Sequence, residues 1–326
     1  MIGMSVDRES WPIRGTFRIS RGSKTAAEVV LVTLERGGHK GRGECVPYAR
    51  YGETAEGVVD RVESLREDLS NDLDRDALQG ALPAGAARNA VDCALWDLEA
   101  KSSGRTIAAL ADLPEPGPIT TAYTLSVDTP QRMYEAARSH RSVPLLKLKL
   151  AGEGDMERVE AVREGAPRAK IVVDANEAWS MEQYVSYAPR LHRLGVNMIE
   201  QPFPADADEV LLDLDRPVAV CADESCHDRP SLPGLVGRYD MVNIKLDKTG
   251  GLTEALALRD QAREKGFQIM VGCMLATSLA MAPALYLCDG AAVVDLDGPL
   301  LLERDRLDGL RIQNSTICPP LPALWG

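Results

Sequence analysis

Leu146-Lys147-Leu148-Lys149-Leu150, Ile171-Val172-Val173-Asp174, Met198-Ile199-Glu200 and Val218-Ala219-Val220-Cys221-Ala222-Asp223 are four short apolar runs punctuated by charge. In the first, a period of two puts both lysines on one face of a strand and the leucines on the other. Leucines on one side suit a covering layer of helices, and lysines on the other suit the lumen of a closed sheet. The other three runs each end in a single carboxylate, and these carboxylates follow one another by 26 and then 23 residues. That step is one strand plus one helix. The three therefore converge at the C-terminal mouth of a parallel barrel, where the active sites of such barrels lie.

The same rhythm continues on both sides. Eight β-branched runs, at 119–127, 144–150, 170–175, 196–201, 218–223, 240–246, 267–272 and 291–296, alternate with helical stretches. Strands alternating with helices predict a parallel sheet, and eight units fit a closed barrel better than an open, doubly wound sheet. No glycine-rich phosphate turn follows any of these strands. Before residue 110 the pattern changes. Residues 11–18 and 27–36 alternate like antiparallel strands, with turns expected at Gly37-Gly38 and Gly41-Arg42-Gly43. A helix is expected over 86–101, its apolar stripe of Ala90, Ala94 and Leu98 beside Val91 and Leu95 stopping at Gly104. The expected fold class is α/β, a modified (β/α) barrel with an N-terminal α+β capping domain. The expected division is a cap over 1–112, a barrel with the metal and catalytic residues over 113–300, and a C-terminal segment over 301–326 packing back toward the cap.

Composition narrows the partners. A formal charge of −12 over 326 residues repels nucleic acid and anionic membranes, so an anionic small substrate needs local cations or a metal. No run approaches a membrane span, and Asp7, Arg8 and Glu9 interrupt the N-terminus where a secretory signal would be apolar; the expected compartment is the cytoplasm. Seven cysteines without a close pair read as reduced core thiols. A homo-oligomer is left open.

Two inward-facing ammonium groups are costly unless anions answer them, and Asp174, Glu200 and Asp223 supply those anions. Three converging carboxylates in turn call for a cation. Hard oxygen ligands at about 2.0–2.1 Å suit Mg²⁺ with room left for substrate, and Mn²⁺ is an acceptable substitute. Met241-Val242-Asn243-Ile244-Lys245-Leu246 brings Lys245 to the same mouth, whereas Lys248 has the opposite parity. Any one of these charges reads more often as a solvated strand-end residue or an ion-pair partner than as a catalytic group; six in successive strand ends read as a catalytic constellation. His227 and Asp228 are set aside as loop surface.

KLK (147–149), VDANEAW (173–179), IEQPFP (199–204), CADES (221–225), NIKLDKTGG (243–251) and DLDGP (295–299) together resemble the enolase superfamily, in its muconate lactonizing subgroup. Within it the chain is most similar to the L-Ala-D/L-Glu (dipeptide) epimerases, and the resemblance includes the cap segments 50–54 and 85–101. It implies a barrel of the enolase type, Asp174, Glu200 and Asp223 as Mg²⁺ ligands, Lys149 and Lys245 as the two acid/base groups, and Lys147 as an electrostatic catalytic group at the substrate carboxylate. It also implies that Asp295 and Asp297 receive the ammonium end of a dipeptide, with Asp297 the better candidate. On its own chemistry this pair also reads as a cap on the turn at Gly298-Pro299. Thr124 aligns with a substrate-contacting threonine and reads equally as a packing residue. Arg18, Arg21 and Lys24 are cap cations, and the resemblance implies that one of this region, with Arg21 and Lys24 the candidates, holds the side-chain carboxylate of Glu. Cys273 reads as a packed thiol.

The function expected is Mg-dependent epimerisation of the C-terminal residue of a small anionic dipeptide, by two-base proton transfer through an enediolate, in the turnover of cell-wall peptides. The alternatives are an o-succinylbenzoate synthase or N-acylamino acid racemase of the same superfamily, and a non-catalytic metabolite-binding barrel that would lack a lysine or a ligand.

Overall fold

The computed structural model describes all residues from 1 to 326. Three antiparallel strands open the chain: β1 (Gly3–Ile19), β2 (Gly22–Arg36) and β3 (His39–Cys45). Gly37 and Gly38, at φ 59° and 83°, make the two-residue turn between β2 and β3, a hairpin that needs left-handed backbone at both positions. Gly41 and Gly43 do not form the turn expected of them. Both lie inside β3, pressed against the helix Ala86–Ser103, where a Cβ on Gly41 would sit 2.2 Å from the Ala94 carbonyl oxygen and one on Gly43 2.0 Å from that of Ala90. These glycines exist so that strand and helix backbones can touch. The helix stops at Gly104, which takes φ 70°, as the apolar stripe predicted.

The second unit is the barrel: β5 (Tyr123–Leu125), β6 (Leu145–Lys149), β7 (Lys170–Asp174), β8 (Val196–Glu200), β9 (Ala219–Ala222), β10 (Met241–Ile244), β11 (Gln268–Gly272) and β12 (Val293–Asp295) form one parallel sheet in sequential order. Closure is provided where the Ala122 N–H donates to the Val294 carbonyl at 2.8 Å and the Leu296 N–H to Thr121 Oγ1 at 2.8 Å. The run expected as one strand over 119–127 is split. Its start, β4 (Ile119–Thr120), pairs antiparallel with β14 (Thr316–Ile317), itself hairpinned to β13 (Ile312–Gln313). The reason is a change of partner within two residues: the Thr121 N–H bonds the Ser315 carbonyl in the tail, and the next N–H bonds β12.

The period of two organises the lumen in layers. Leu146, Leu148 and Leu150 join the core shared with the surrounding helices, each burial being worth roughly 1.5–3 kcal/mol. Inside, Val172, Met198, Cys221, Met241, Met270 and Val293 make an apolar floor. Two residues further along the chain come Asp174, Glu200, Asp223, Asn243 and Asp295, with Lys149 in register with Asp174 and Lys147 in register with Val172 below it; Lys245 and Asp297 follow two residues beyond Asn243 and Asp295. The floor keeps water from below, so the charged layer faces only the mouth.

The cap helix closes that mouth on one side. Arg88 donates to the Thr249 carbonyl at 2.6 Å, Asn89 to Asp247 at 2.8 Å, and Thr253 Oγ1 to Asp92 at 2.6 Å. In the last residues, Trp325 Nε1 donates to the Cys93 carbonyl at 3.0 Å and Arg42 donates to the carbonyls of Ala323 and Leu324 at 2.7 Å. All seven cysteines are free, and no helix is long and apolar enough to cross a membrane.

Candidate active site

The three strand-end carboxylates meet. Asp174, Glu200 and Asp223 are buried and each offers an oxygen within 4.8 Å of the others. Lys147 Nζ stands among them, 2.6 Å from Glu200, 2.8 Å from Asp295 and 3.3 Å from Asp174. Lys149 Nζ contacts Asp174 at 2.6 Å, and Lys245 Nζ contacts Asp223 at 2.6 Å. Lys149 rises from the second barrel strand and Lys245 from the end of the sixth. Four strands apart in a ring of eight, they face each other across the mouth.

Charge and burial set the protonation of this layer. Burial pushes the Asp174 carboxyl up, but the ammonium groups of Lys149 and Lys147 outweigh it and hold it at about 2. For Glu200 burial wins, with Asp174 adding to it, and the group is pushed up to about 7. Burial disfavours charge on Lys147 and Lys245 as well, yet the carboxylates around each hold both well above the usual lysine range. Three anionic, hard oxygen donors on one buried patch fit a divalent cation, and such a cation would share the carboxylates that now face the ammonium groups.

Lys245 opens onto a cavity of about 470 Å³ between barrel mouth and cap, together with Lys149, Asp223 and Glu224 from the barrel and Arg21 and Lys24 from the cap. Lys248 does not. It is fully buried behind Asp223, donating to Asp223 Oδ1 and to the Asp223 and Asn243 carbonyls at 2.6, 2.6 and 2.9 Å. A smaller recess beside the main cavity brings Thr124, Lys147, Lys149, Asp295 and Asp297 together. Within it Asp297 accepts the Thr124 N–H at 2.6 Å, and the Thr124 side chain as well as its backbone opposes the upward push on that carboxyl. Burial, reinforced by Asp295, pushes the Asp297 carboxyl up to about 7. Cys273 borders both spaces, its thiol pushed well up by burial and the two aspartates.

The two cap cations differ. Arg21 is engaged by Glu224 at 2.6 Å and Glu177 at 3.1 Å, whereas Lys24 has no carboxylate partner and lies 5.6 Å over the Tyr48 ring. Arg18 is exposed and does not border the cavity. His227 is not loop surface: it is half-buried with its ring edge-on to Tyr51 at 4.6 Å.

Glu224 was missed by strand parity, because it follows Asp223 and belongs on the opposite face. The chain turns after β9 and brings it into the cavity, where its Oε2 is buried without a partner. Asn243 was seen as inward-facing; its Nδ2 donates to Glu200 Oε1 at 2.7 Å and so orients a carboxylate of the triad.

Two family models account for most of the sequence: the mandelate racemase / muconate lactonizing enzyme N-terminal domain over residues 1–111, and the enolase C-terminal domain-like model over residues 131–308. The chain belongs to the mandelate racemase/muconate lactonizing branch of the enolase superfamily. Within this superfamily it is 48% identical to the L-Ala-D/L-Glu epimerase of Escherichia coli (strain K12), over 93% of this chain and 95% of that one. It is 44% identical to an N-acetyl-D-glutamate racemase of a Pseudoalteromonas species, over 91% and 95%. A solved enolase-family structure from Agrobacterium tumefaciens, with homology to dipeptide epimerases and with sodium and L-Ala-L-Glu bound, matches all of both chains at a TM-score of 0.99 and 47% identity. The enolase-type barrel with its cap is the shared fold.

Proposed function

We propose that this chain is a divalent-metal-dependent dipeptide epimerase, an isomerase that inverts the α-carbon of the C-terminal residue, with L-Ala-D-Glu and L-Ala-L-Glu as its preferred pair. The observation that carries this reading is Asp297. It is buried, its hydrogen-bond donor is the neutral Thr124, and no cation lies within ion-pair distance, whereas Asp295 beside it is held by Lys147. A buried carboxylate needs a partner. The free ammonium of a dipeptide supplies it, and a neutral acyl group does not.

The remaining roles follow from placement. Asp174, Glu200 and Asp223 would hold Mg²⁺, with Mn²⁺ as a substitute, and the cation when bound supplies positive charge to the substrate carboxylate. Lys147, fixed in the middle of the carboxylates, adds charge where the enediolate develops. Lys149 removes the α-proton from one face and Lys245 delivers one to the other; in the reverse direction they exchange roles. Thr124 supports Asp297. Of the substrate-binding candidates in the cap, Arg21 and Lys24, Lys24 is the cation left for the Glu side chain. The functional division is a cap (1–112) that meets the side chain, a barrel (113–300) that does the chemistry and a tail (301–326) strapped to the cap. The setting we infer is cytoplasmic turnover of cell-wall peptides.

The second reading is an N-acylamino acid racemase, which uses the same metal ligands and lysines and is supported by the similarity to the Pseudoalteromonas enzyme. Proton NMR in D₂O with Mg²⁺ separates the two. Loss of the α-proton from L-Ala-L-Glu at least tenfold faster than from N-acetyl-L-Glu, abolished by EDTA and restored by Mg²⁺, is expected, given that a charge-assisted contact is worth about 1.5–3 kcal/mol. Equal rates would favour the acylamino acid racemase.

A further inference from the structure

Arg21 sits at the tip of the β1–β2 hairpin, where the cap reaches the barrel mouth. Its guanidinium is committed on both sides. One amino group donates to the Asn176 carbonyl at 2.9 Å and faces Glu177 at 3.1 Å; the other donates to Glu224 at 2.6 Å and to the Tyr48 hydroxyl at 3.2 Å. Ser20 Oγ donates to the same Asn176 carbonyl at 3.0 Å. The barrel partners have one thing in common. Asn176 and Glu177 are the second and third residues after Asp174, and Glu224 is the first after Asp223.

The segment after Asp174 is strained. Asn176 and Glu177 are consecutive non-glycine residues at φ 47° and 66°, a conformation that persists only where surroundings enforce it. Contacts from barrel and cap hold it together: the Asn176 N–H donates to Asp174 Oδ1 and the Glu177 N–H to the Gln201 carbonyl, both at 2.9 Å, and the cap adds side-chain contacts. Glu177 is gripped by Arg21 and by both ends of Arg50, at 3.0 and 2.8 Å, and its carboxylate also accepts the Ala205 N–H at 2.9 Å, in the loop that follows Glu200. Through Arg21 and Glu177 the cap tip is therefore joined to all three loops that leave the triad. Glu224 depends on the same cation, since its side chain is 2% exposed and Arg21 is its ion-pair partner.

We propose that Arg21 is a positioning residue, a latch that ties closure of the cap tip to the loops carrying Asp174, Glu200 and Asp223, so that cation binding and cap closure strengthen each other. The proposal rests on the carboxylate triad being a metal site. It leaves Lys24, which has no carboxylate partner, as the cap cation open to substrate. Two linked events must affect each other by the same factor, so a broken latch weakens cation binding even with no substrate present.

The test compares Arg21→Met, which keeps an unbranched apolar stem and removes the charged guanidinium, with Lys24→Met and the unmodified enzyme. Mg²⁺ affinity is measured by calorimetry without substrate, proteolysis of the cap tip is followed with and without Mg²⁺, and KM is measured for L-Ala-L-Glu and for uncharged L-Ala-L-Met. Arg21→Met is expected to bind Mg²⁺ roughly tenfold more weakly, within the usual range of coupling, to lose Mg²⁺ protection of the cap tip, and to raise KM for both dipeptides by a similar factor. Lys24→Met is expected to keep Mg²⁺ affinity and protection while losing its preference for Glu. If Arg21→Met does not fold, Glu177→Gln, which leaves Arg21 in place and weakens its hold on the loops, is expected to show the same weakened Mg²⁺ affinity; unchanged affinity there overturns the latch. An Arg21→Met enzyme that binds Mg²⁺ as tightly as the parent and loses only its preference for Glu also overturns the latch while leaving the triad intact. An unmodified enzyme that binds no divalent cation overturns the reading of the site and the latch with it.

Discussion

In the proposed mechanism Lys149 and Lys245 serve opposite faces of the α-carbon, so losing either one has a one-sided consequence. Replacing either with Ala should lower epimerisation by roughly 10²–10⁴-fold, the usual worth of a positioned acid or base, while α-proton exchange of one stereoisomer continues in D₂O. Proton NMR of the two diastereomers reads this directly; normal turnover by Lys245→Ala would overturn the role given to Lys245. Asp297→Asn should reduce kcat/KM for L-Ala-L-Glu by about ten- to a hundredfold and shrink its advantage over the N-acetylated form. Most of these residues were legible because a period of two and a regular spacing sort inward from outward side chains. Glu224 was not, since its parity assigns it to the other face and only the turn after β9 overrides that.

Gly43 shows the same contrast for an element. The sequence offers Gly41-Arg42-Gly43 as a turn signal, and nothing local distinguishes a glycine needed for its backbone angle from one needed for its missing side chain. The helix Ala86–Ser103 decides the matter by lying directly on β3. Gly43→Ala should therefore destabilise the cap by about 1–3 kcal/mol, the range for overpacking a tight contact, and lower Tm with kcat little changed. Gly80, inside the helix Arg75–Ala81 with open space around it, should behave oppositely, Gly80→Ala adding about 0.4–1 kcal/mol. Differential scanning calorimetry of the two variants tests both signs. The division of the 119–127 run between two sheets was equally illegible, because its first partner lies in the tail, almost two hundred residues away in sequence.

Cap and barrel behave as one body because their cores merge and because buried polar groups join them. Asp247 is one of these. Burial is the main reason its carboxyl rises from 3.8 to about 7; the N–H of Val46 and the amide of Asn89 oppose that, and Glu53 and Glu44 add to it. The folded state therefore holds this proton more tightly than the unfolded chain. Its contribution is fully present below about pH 4 and is lost as pH rises through about 7, with a ceiling of a few kcal/mol at about 1.4 kcal/mol per unit. Asp247→Asn cannot ionise, so Tm should fall less from pH 4 to pH 8 in the variant than in the parent; parallel profiles would show that Asp247 does not carry the effect. By itself the sequence determined the cap-and-barrel plan and the inward layer of lysines and carboxylates, because patterning and spacing are properties of short stretches. Only the tertiary structure decided that Arg21 is engaged and Lys24 free, that Lys248 lies behind Asp223, and that Glu224 enters the cavity. Those outcomes depend on loops 155 to 203 residues apart meeting at one guanidinium, and on which charges then remain without a partner, neither of which any local pattern encodes.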